Sequence, residues 1–191
     1  MAEMVKKATR ESYGLALTEL GARNPDIVVL DADLAEATKS AFFREKFPGR
    51  FVECGIAECN MIGVAAGLAT CGKIPFASSF AMFAAGRAFE QVRNSVGYPH
   101  LNVKIAGSHA GISVGEDGAT HQCLEDLALM RSIPGMVVLN PADHYEMQAA
   151  VKAAAAYKGP VYIRLGRLAV ESFNNSDDYR FEIGKGVTLR E

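Results

Sequence analysis

Short apolar runs alternate along the chain with segments in which apolar residues recur at helical spacing. The runs read DIVVLDA, RFVECG, KIPFASSF, LNVKIAG, MVVLN and PVYIRLG. Their apolar residues are consecutive, which is typical of strands buried on both faces of a parallel sheet. Helices are predicted around them over residues 7–23, 39–47, 57–71, 83–96, 123–132 and 143–158. The pattern indicates an α/β fold, a doubly wound, mainly parallel sheet with helices on both faces.

The composition is that of one globular domain with a polar end. Of the 191 residues, 49% are hydrophobic, which is enough to bury a core. The last stretch, NNSDDYRFEIGKGVTLRE, is mostly polar. We therefore predict a domain over residues 1–175 and a polar tail or linker over 176–191, leading toward a further domain absent from this chain.

Charge and hydropathy exclude several classes of partner. Basic residues number 20 and acidic residues 22, spread along the chain, so no basic face is available for nucleic acid or an anionic membrane. The chain has no uninterrupted apolar stretch of about 18 residues, the length that indicates a transmembrane helix. Its beginning also lacks the apolar block of a secretion signal. We expect a cytoplasmic protein that binds small molecules and other proteins.

The cysteines show no redox or zinc pattern. They are Cys54, Cys59, Cys71 and Cys123. None has the CxxC spacing that structural zinc and redox sites commonly use, so buried, reduced thiols are expected. His121 and Cys123 form an HxC pair, but with only the distant His109 to join them they lack a recognisable ligand pattern. No metal site is predicted on this chain.

Unusual residues follow the first four predicted strands. Asp31 and Asp33 follow the first strand, Glu58 the second, and Phe80 and Phe83 end or follow the third. The long glycine-rich segment HAGISVGEDGATHQ follows the fourth strand. Ligands of doubly wound sheets bind outside the carboxyl ends of the strands. This edge of the sheet is therefore the predicted active site.

Glu58 has two interpretations from the residues alone. It lies in the first turn of a predicted helix, where the helix dipole favours a carboxylate whatever the function. Its neighbours Ile56, Cys59 and Met61 are apolar, which suggests a partly desolvated carboxyl suited to acid–base chemistry. The spacing does not separate the two.

The other side chains at this edge are open to two interpretations as well. His109, Asp117 and His121 share one loop, a density of ionisable groups that suits a substrate with several hydroxyls, although an ordinary polar loop is an alternative. Phe80 and Phe83 are core residues in most proteins, and only an adjacent ligand makes such a pair a stacking wall.

Three segments form a recognisable set: FVECGIAECNMIGVAAGLAT, SSFAMFAAGRAFEQVR and SHAGISVGEDGATHQCLEDLALMRSIPGMVVLNPAD. Together they resemble the pyrimidine-binding domain of transketolases. The most specific elements are GIAE before an apolar helix and GEDGATHQ before LEDLALMRSIP, in the family's order and spacing. The resemblance covers nearly the whole chain. It extends to the C-terminal subunit of transketolases that are split into two polypeptides.

The resemblance implies a thiamine-diphosphate-dependent enzyme that transfers a two-carbon ketol unit from a ketose phosphate to an aldose phosphate. Glu58 matches the family glutamate that hydrogen-bonds a ring nitrogen of the cofactor's aminopyrimidine and so promotes loss of the thiazolium proton. Phe80 and Phe83 match aromatics that pack on that pyrimidine, and Asp33 matches an aspartate near the cofactor.

The resemblance also implies roles toward the substrate. His109 and Arg167 match contacts to the substrate phosphate, Asp117 a contact to a substrate hydroxyl, and His121 a catalytic residue near the reacting carbonyl. Three positions depart from common members of the family. Gly86 replaces an aromatic, Cys59 a glutamine and Cys123 a proline, which bears on cofactor affinity.

The family's GDG…N segment, which holds magnesium and the diphosphate, does not occur in these 191 residues. By resemblance, a diphosphate-binding N-terminal transketolase subunit supplies that segment and the magnesium. A homodimer is also expected. Exposed apolar surface around Phe80 and Phe83 then serves for association.

Two other interpretations remain. The chain could be a fragment of a deoxyxylulose-phosphate synthase or of a dehydrogenase β-subunit, although GEDGATHQ with LEDLALMRSIP favours transketolase. It could also be a catalytically silent interaction module that kept the fold, which a turnover assay of the mixed chains distinguishes.

Overall fold

The computed structural model describes residues 6–174 and 179–188. Its main sheet contains β2 (Ile27–Asp31), β3 (Phe51–Glu53), β4 (Ile74–Phe80), β5 (Lys104–Ser108), β6 (Val137–Leu139) and β7 (Val161–Arg164). The strand order is β3-β2-β4-β5-β7-β6, and every neighbouring pair is parallel. All residues of β2 and β5 are buried, which explains their continuous apolar character. The predicted fold class is confirmed.

Helices cover both faces of the sheet. The described helices are α1 (Thr9–Arg23), α2 (Ala35–Thr38), α3 (Ala41–Lys46), α4 (Glu58–Thr70), α5 (Phe89–Gln91), α6 (Asp126–Arg131) and α7 (His144–Ala156). One core packs the helix α4 and the segment around α5 on the sheet through Met61, Ile62 and Val92. The other packs α1 and α7 through Leu17 and Met147. In the part of the chain that the structure describes, no helix is long and apolar enough to cross a membrane.

Two predicted helix starts are displaced by two or three residues, within the expected margin of about 2–4 residues, and one predicted helix has a different form. Residues 7 and 8 belong to β1 (Lys6–Ala8), which pairs antiparallel with β8 (Ala169–Glu171) rather than opening α1. A three-residue strand whose partner is about 160 residues away leaves no local period to detect. The helix predicted over 83–96 is instead two π-helical segments, Met82–Arg87 and Val92–Gly97, on either side of α5. The helix predicted from residue 123 begins at Asp126.

The predicted polar tail is partly packed onto the domain. Phe181 and Ile183 pack against the core beneath α1 and α7, and the Tyr179 hydroxyl donates a hydrogen bond to Glu146 Oε1 at 2.9 Å. Residues 175–178 and 189–191, which include the predicted boundary, lie outside the described residues. The division at residue 175 stays a prediction.

Candidate active site

Loops at the carboxyl ends of β2, β3, β4 and β5 meet around a cavity of about 460 Å³. The cavity is lined by Ala32, Asp33, Leu34, Ile56, Glu58, Phe83, Arg87, Thr120 and His121. Its volume lies within the range of small-molecule sites, about 300–1,000 Å³. The structure therefore brings four predicted site residues, Asp33, Glu58, Phe83 and His121, into one cavity.

Glu58 is the first residue of α4 and is only 2% exposed. The preceding strand β3 leads into the N-terminus of α4 and so places Glu58 at the edge of the sheet. The backbone N–H groups of a helix N-terminus favour a carboxylate at this position. Its Oε2 accepts a hydrogen bond from Arg87 Nη1 at 2.9 Å. Glu58 is thus both at a helix start and sheltered from solvent, and its arginine partner was not predicted.

The two phenylalanines form part of a wall of stacked rings. Phe80 and Phe83 stack with ring centroids 6.0 Å apart and planes 17° apart. Phe80 is only 5% exposed and also stacks against His109, with ring centroids 4.1 Å apart. His121 meets the Phe83 ring at 5.1 Å in an edge-on arrangement. Phe83 is thus the ring that faces the cavity, and Phe80 supports it from behind.

Glu53 ties two of the loops together. Its Oε1 accepts backbone hydrogen bonds from Asp33 at 2.8 Å and from Gly55 at 3.0 Å. Asp33 and Gly55 both have positive φ, 61° and 64°, a conformation that an aspartate adopts more readily than most residues. One carboxylate oxygen therefore fixes the loop that carries Asp33 and the turn that leads into Glu58.

Asp31 holds the same loop from within. Its fully buried carboxylate accepts hydrogen bonds from the Leu34 backbone at 2.7 Å and from the hydroxyls of Thr38 and Ser40, each at 2.8 Å. Burial raises the pKa of Asp31 to about 6, although these hydrogen bonds oppose the shift. Asp31 shapes the loop and does not line the cavity.

A second cluster surrounds His109, which is buried and has a φ of 57°. Its Nδ1 lies 2.9 Å from Ser108 Oγ and its Nε2 lies 3.5 Å from Arg10 Nη1. Because an arginine can only donate, Nε2 is the unprotonated nitrogen and Nδ1 carries the proton. Burial, assisted by the charges of Arg10 and Arg167, lowers the pKa of His109 to about 4.

Arg10 was missed by the sequence analysis. Its Nη1 donates to the Ala37 carbonyl at 2.7 Å, while its buried Nε has no partner. Burial and the repulsion of Arg167 lower the pKa of Arg10. Positive charge in the first turn of a helix opposes the dipole, so Arg10 at the start of α1 was a detectable signal. The cluster of Arg10, His109 and Arg167 suits an anionic group.

Asp117 lies in the loop after β5, and Arg167 packs against that loop at Gly115. That loop is closed by paired backbone hydrogen bonds between Gly111 and Cys123, at 2.8 and 3.3 Å. A side chain at Gly115, whose φ is 95°, would collide with the Arg167 guanidinium, 2.7 Å from its Nη1. Asp117 is exposed, yet its charge acts on His109. Asp117, His109 and Arg167 therefore lie near enough for their charges to interact.

The family model described as the transketolase pyrimidine-binding domain matches residues 5–172 of this chain. The chain belongs to that family. A transketolase C-terminal section from Methanocaldococcus jannaschii is 56% identical over 186 residues, covering 97% of this chain and 59% of that protein. A 6-deoxy-6-sulfo-D-fructose transketolase subunit from a Clostridium species is 46% identical, covering 95% of this chain and 56% of that protein.

Solved structures agree with the family assignment. A split-gene transketolase, solved as an inactive beta4 tetramer, superposes with a TM-score of 0.87 at 59% identity. The match covers 98% of this chain and 60% of that one. The chain thus spans somewhat over half the length of these relatives, and it matches part of a transketolase C-terminal section.

The exposed apolar residues at the site edge of the sheet are not the two phenylalanines around which such surface was expected. They are Ile56 beside Glu58, and Ile112 and Leu124 near the two ends of the loop after β5. Phe80, which was expected to contribute, is buried. The position of Gly86, where the family often has an aromatic, faces the end of the Met82 side chain.

Proposed function

We propose that this chain is the pyrimidine-binding half of a thiamine-diphosphate-dependent transketolase. With a diphosphate-binding partner chain, it transfers a two-carbon ketol unit from a ketose phosphate to an aldose phosphate. The observation that carries the proposal is the buried Glu58 carboxylate at the edge of a cavity whose wall is the Phe83 ring. The transketolase relatives favour this reaction over a deoxyxylulose-phosphate synthase or dehydrogenase β-subunit.

The residues present fit the pyrimidine half of the cofactor. The cavity offers an aromatic face at Phe83, backed by Phe80, and a carboxylate at Glu58. When bound, thiamine diphosphate would supply a carbon acid that becomes a carbon nucleophile on loss of its proton. Glu58 would hydrogen-bond a ring nitrogen, Phe83 would orient the ring, and Asp33 would lie near it on the loop after β2. Burial of Glu58 keeps water from competing for its carboxylate.

We also propose that the partner chain holds the diphosphate and the magnesium ion, as the family resemblance implies. Among the residues that the structure describes, no group of three or more His, Cys, Asp or Glu side chains is arranged to hold a metal ion. The partner that we propose is the N-terminal transketolase subunit. We further propose that two such two-chain assemblies form a dimer. Ile56, Ile112 and Leu124 provide exposed apolar surface for this association.

The second cluster recognises the anionic end of the substrate. Arg10 and Arg167 supply positive charge and fixed donors, and His109 can accept a proton when an anion arrives. Asp117 contacts a substrate hydroxyl and His121, in the cavity, lies near the reacting carbonyl. The Clostridium relative is named for a sulfonated ketose, which agrees with a site that binds a terminal anion.

The proposal is tested by mixing this chain with a candidate diphosphate-binding subunit, thiamine diphosphate and magnesium. Ketol transfer from xylulose 5-phosphate to ribose 5-phosphate is then followed. Glu58→Gln should lower turnover by about 100-fold or more, the usual contribution of a general acid–base group. The matched control is Glu45→Gln in α3, an exposed position away from the cavity, which should keep full activity. Full activity of Glu58→Gln would refute the proposal.

A silent association module is the second candidate function. It is favoured by one observation, the inactive beta4 tetramer formed by the split-gene relative. A mixed complex that is shown to contain cofactor and both chains, yet transfers no ketol unit, would support this alternative.

A further inference from the structure

Arg87 lies over the part of the cavity that a pyrimidine ring needs. Its Nη1 donates to Glu58 Oε2 at 2.9 Å, and its guanidinium carbon lies 4.5 Å from the centre of the Phe83 ring. Arg87 and Glu58 both line the cavity. The arginine side chain is 50% exposed whereas that of the glutamate is 2% exposed, so the arginine covers the carboxylate from the solvent side.

The guanidinium makes the two contacts that the cofactor ring would make. It is planar, it donates N–H groups to a carboxylate, and it stacks on an aromatic face. An aminopyrimidine is also planar, and in the proposed function it needs the same carboxylate of Glu58 and the same face of Phe83. Stacked planes sit at van der Waals distance, so two groups cannot share one face of a ring.

We propose that Arg87 is an internal competitor that occupies the pyrimidine subsite of the unpaired chain and must swing out before the cofactor binds. This inference rests on the proposed function and adds a residue that sets cofactor affinity. Only the side chain needs to move, because Cys59 Sγ donates to the Arg87 carbonyl at 3.6 Å and the Ala88 N–H bonds the Phe83 carbonyl at 3.0 Å.

The change in the dissociation constant for the pyrimidine depends on the fraction of time for which Arg87 covers the subsite. If Arg87 covers the subsite for about nine-tenths of the time, the apparent dissociation constant is about tenfold weaker than the intrinsic one. Truncating the side chain removes this competition. We therefore expect Arg87→Ala to bind the pyrimidine about tenfold more tightly than the natural chain does.

The test measures binding of 4-amino-5-hydroxymethyl-2-methylpyrimidine to the isolated full chain by NMR titration. This probe carries no permanent charge, and the Arg87→Lys variant controls for the loss of the positive charge. Arg87→Lys keeps the charge without the planar group and should bind more tightly than the natural chain but less tightly than Arg87→Ala. Arg93→Ala, an exposed arginine on the next helical segment, is the matched control and should bind like the natural chain.

Equal or weaker binding by Arg87→Ala would overturn the inference, as would no binding by either chain while both are folded. Thermal melting establishes folding in each variant. Ketol transfer by the mixed natural chains is measured separately. An active pair with an Arg87→Ala chain of unchanged affinity would reject the role of Arg87 and keep the proposed function, whereas a loaded but inactive pair would reject the function.

Discussion

Replacing Arg10 by methionine should weaken recognition of the substrate's anionic end. Methionine keeps an apolar stem of similar length and removes the guanidinium. The structure places that group 3.5 Å from His109 Nε2, with a buried Nε that lacks a partner. An incoming phosphate would supply the missing acceptor. Among the described residues Arg10 forms no ion pair, and its Nε can therefore donate a hydrogen bond to a bound anion.

The magnitude follows from the kind of bond that is lost. A hydrogen bond to a charged group contributes about 1.5–3 kcal/mol, which is about 10-fold to 150-fold in affinity. Arg10 is half-buried, so water screens part of its charge, and we expect a value near the lower end. The loss of its bond to the Ala37 carbonyl affects stability instead, and a thermal melt of the variant separates the two effects.

The assay compares KM for a phosphorylated ketose and for its unphosphorylated analogue in the reconstituted pair. Arg10→Met should raise the first by at least about 10-fold and leave the second nearly unchanged. Arg23→Met is the matched control, because Arg23 ends the same helix with a side chain that is 73% exposed. The reasoning is refuted if both values of KM rise equally, or if Arg23→Met has the same effect as Arg10→Met.

Two further predictions concern protonation and stability. His109, followed by NMR, should titrate with a pKa of about 4 and shift upward when phosphate is added. In the unfolded chain this histidine binds a proton near pH 6.5. The free energy of unfolding should therefore decrease as the pH falls from 6.5 through 4. A pKa near 6.5 in the folded chain would contradict this. Asp126→Asn should lower the free energy of unfolding by about 3–5 kcal/mol, because the buried Asp126 accepts bonds from Tyr162 and Arg164. Asp26→Asn, which breaks an exposed pair with Lys73, should cost at most about 1 kcal/mol; equal losses in urea unfolding would contradict the difference.

The pyrimidine subsite and the anion cluster are joined by Phe80. Its ring stacks on Phe83, which faces the cavity, and on His109, which belongs to the cluster. Burial of Phe80 at the end of β4 fixes this central ring. In the proposed function, the distance between cofactor ring and substrate anion is therefore set by packing around one buried side chain.

Local patterns in the sequence were enough to predict the sheet and the place of the site. Consecutive apolar residues mark strands buried on both faces, and parallel strands bring their following loops to one edge. The helix start at Glu58 could be predicted as well, but its apolar neighbours left its burial as one of two interpretations.

Partnerships between distant residues could not be predicted in this way. Glu58 and Arg87 are 29 positions apart, and Arg10 and His109 are 99 positions apart. No periodicity links such residues, since the tertiary fold alone brings them together. The π-helical segments beside α5 also escaped prediction, because each is only six residues long and lies in an almost continuously helical run.

The central claim is that Glu58 promotes loss of the proton from the thiazolium carbon of thiamine diphosphate. The most direct measurement is the rate of deuterium exchange at that carbon in the assembled pair, which requires no sugar substrate. The natural pair should accelerate exchange over free cofactor, and Glu58→Gln should slow it by about 100-fold or more. A Glu58→Gln pair that contains cofactor and exchanges at the natural rate would contradict the account.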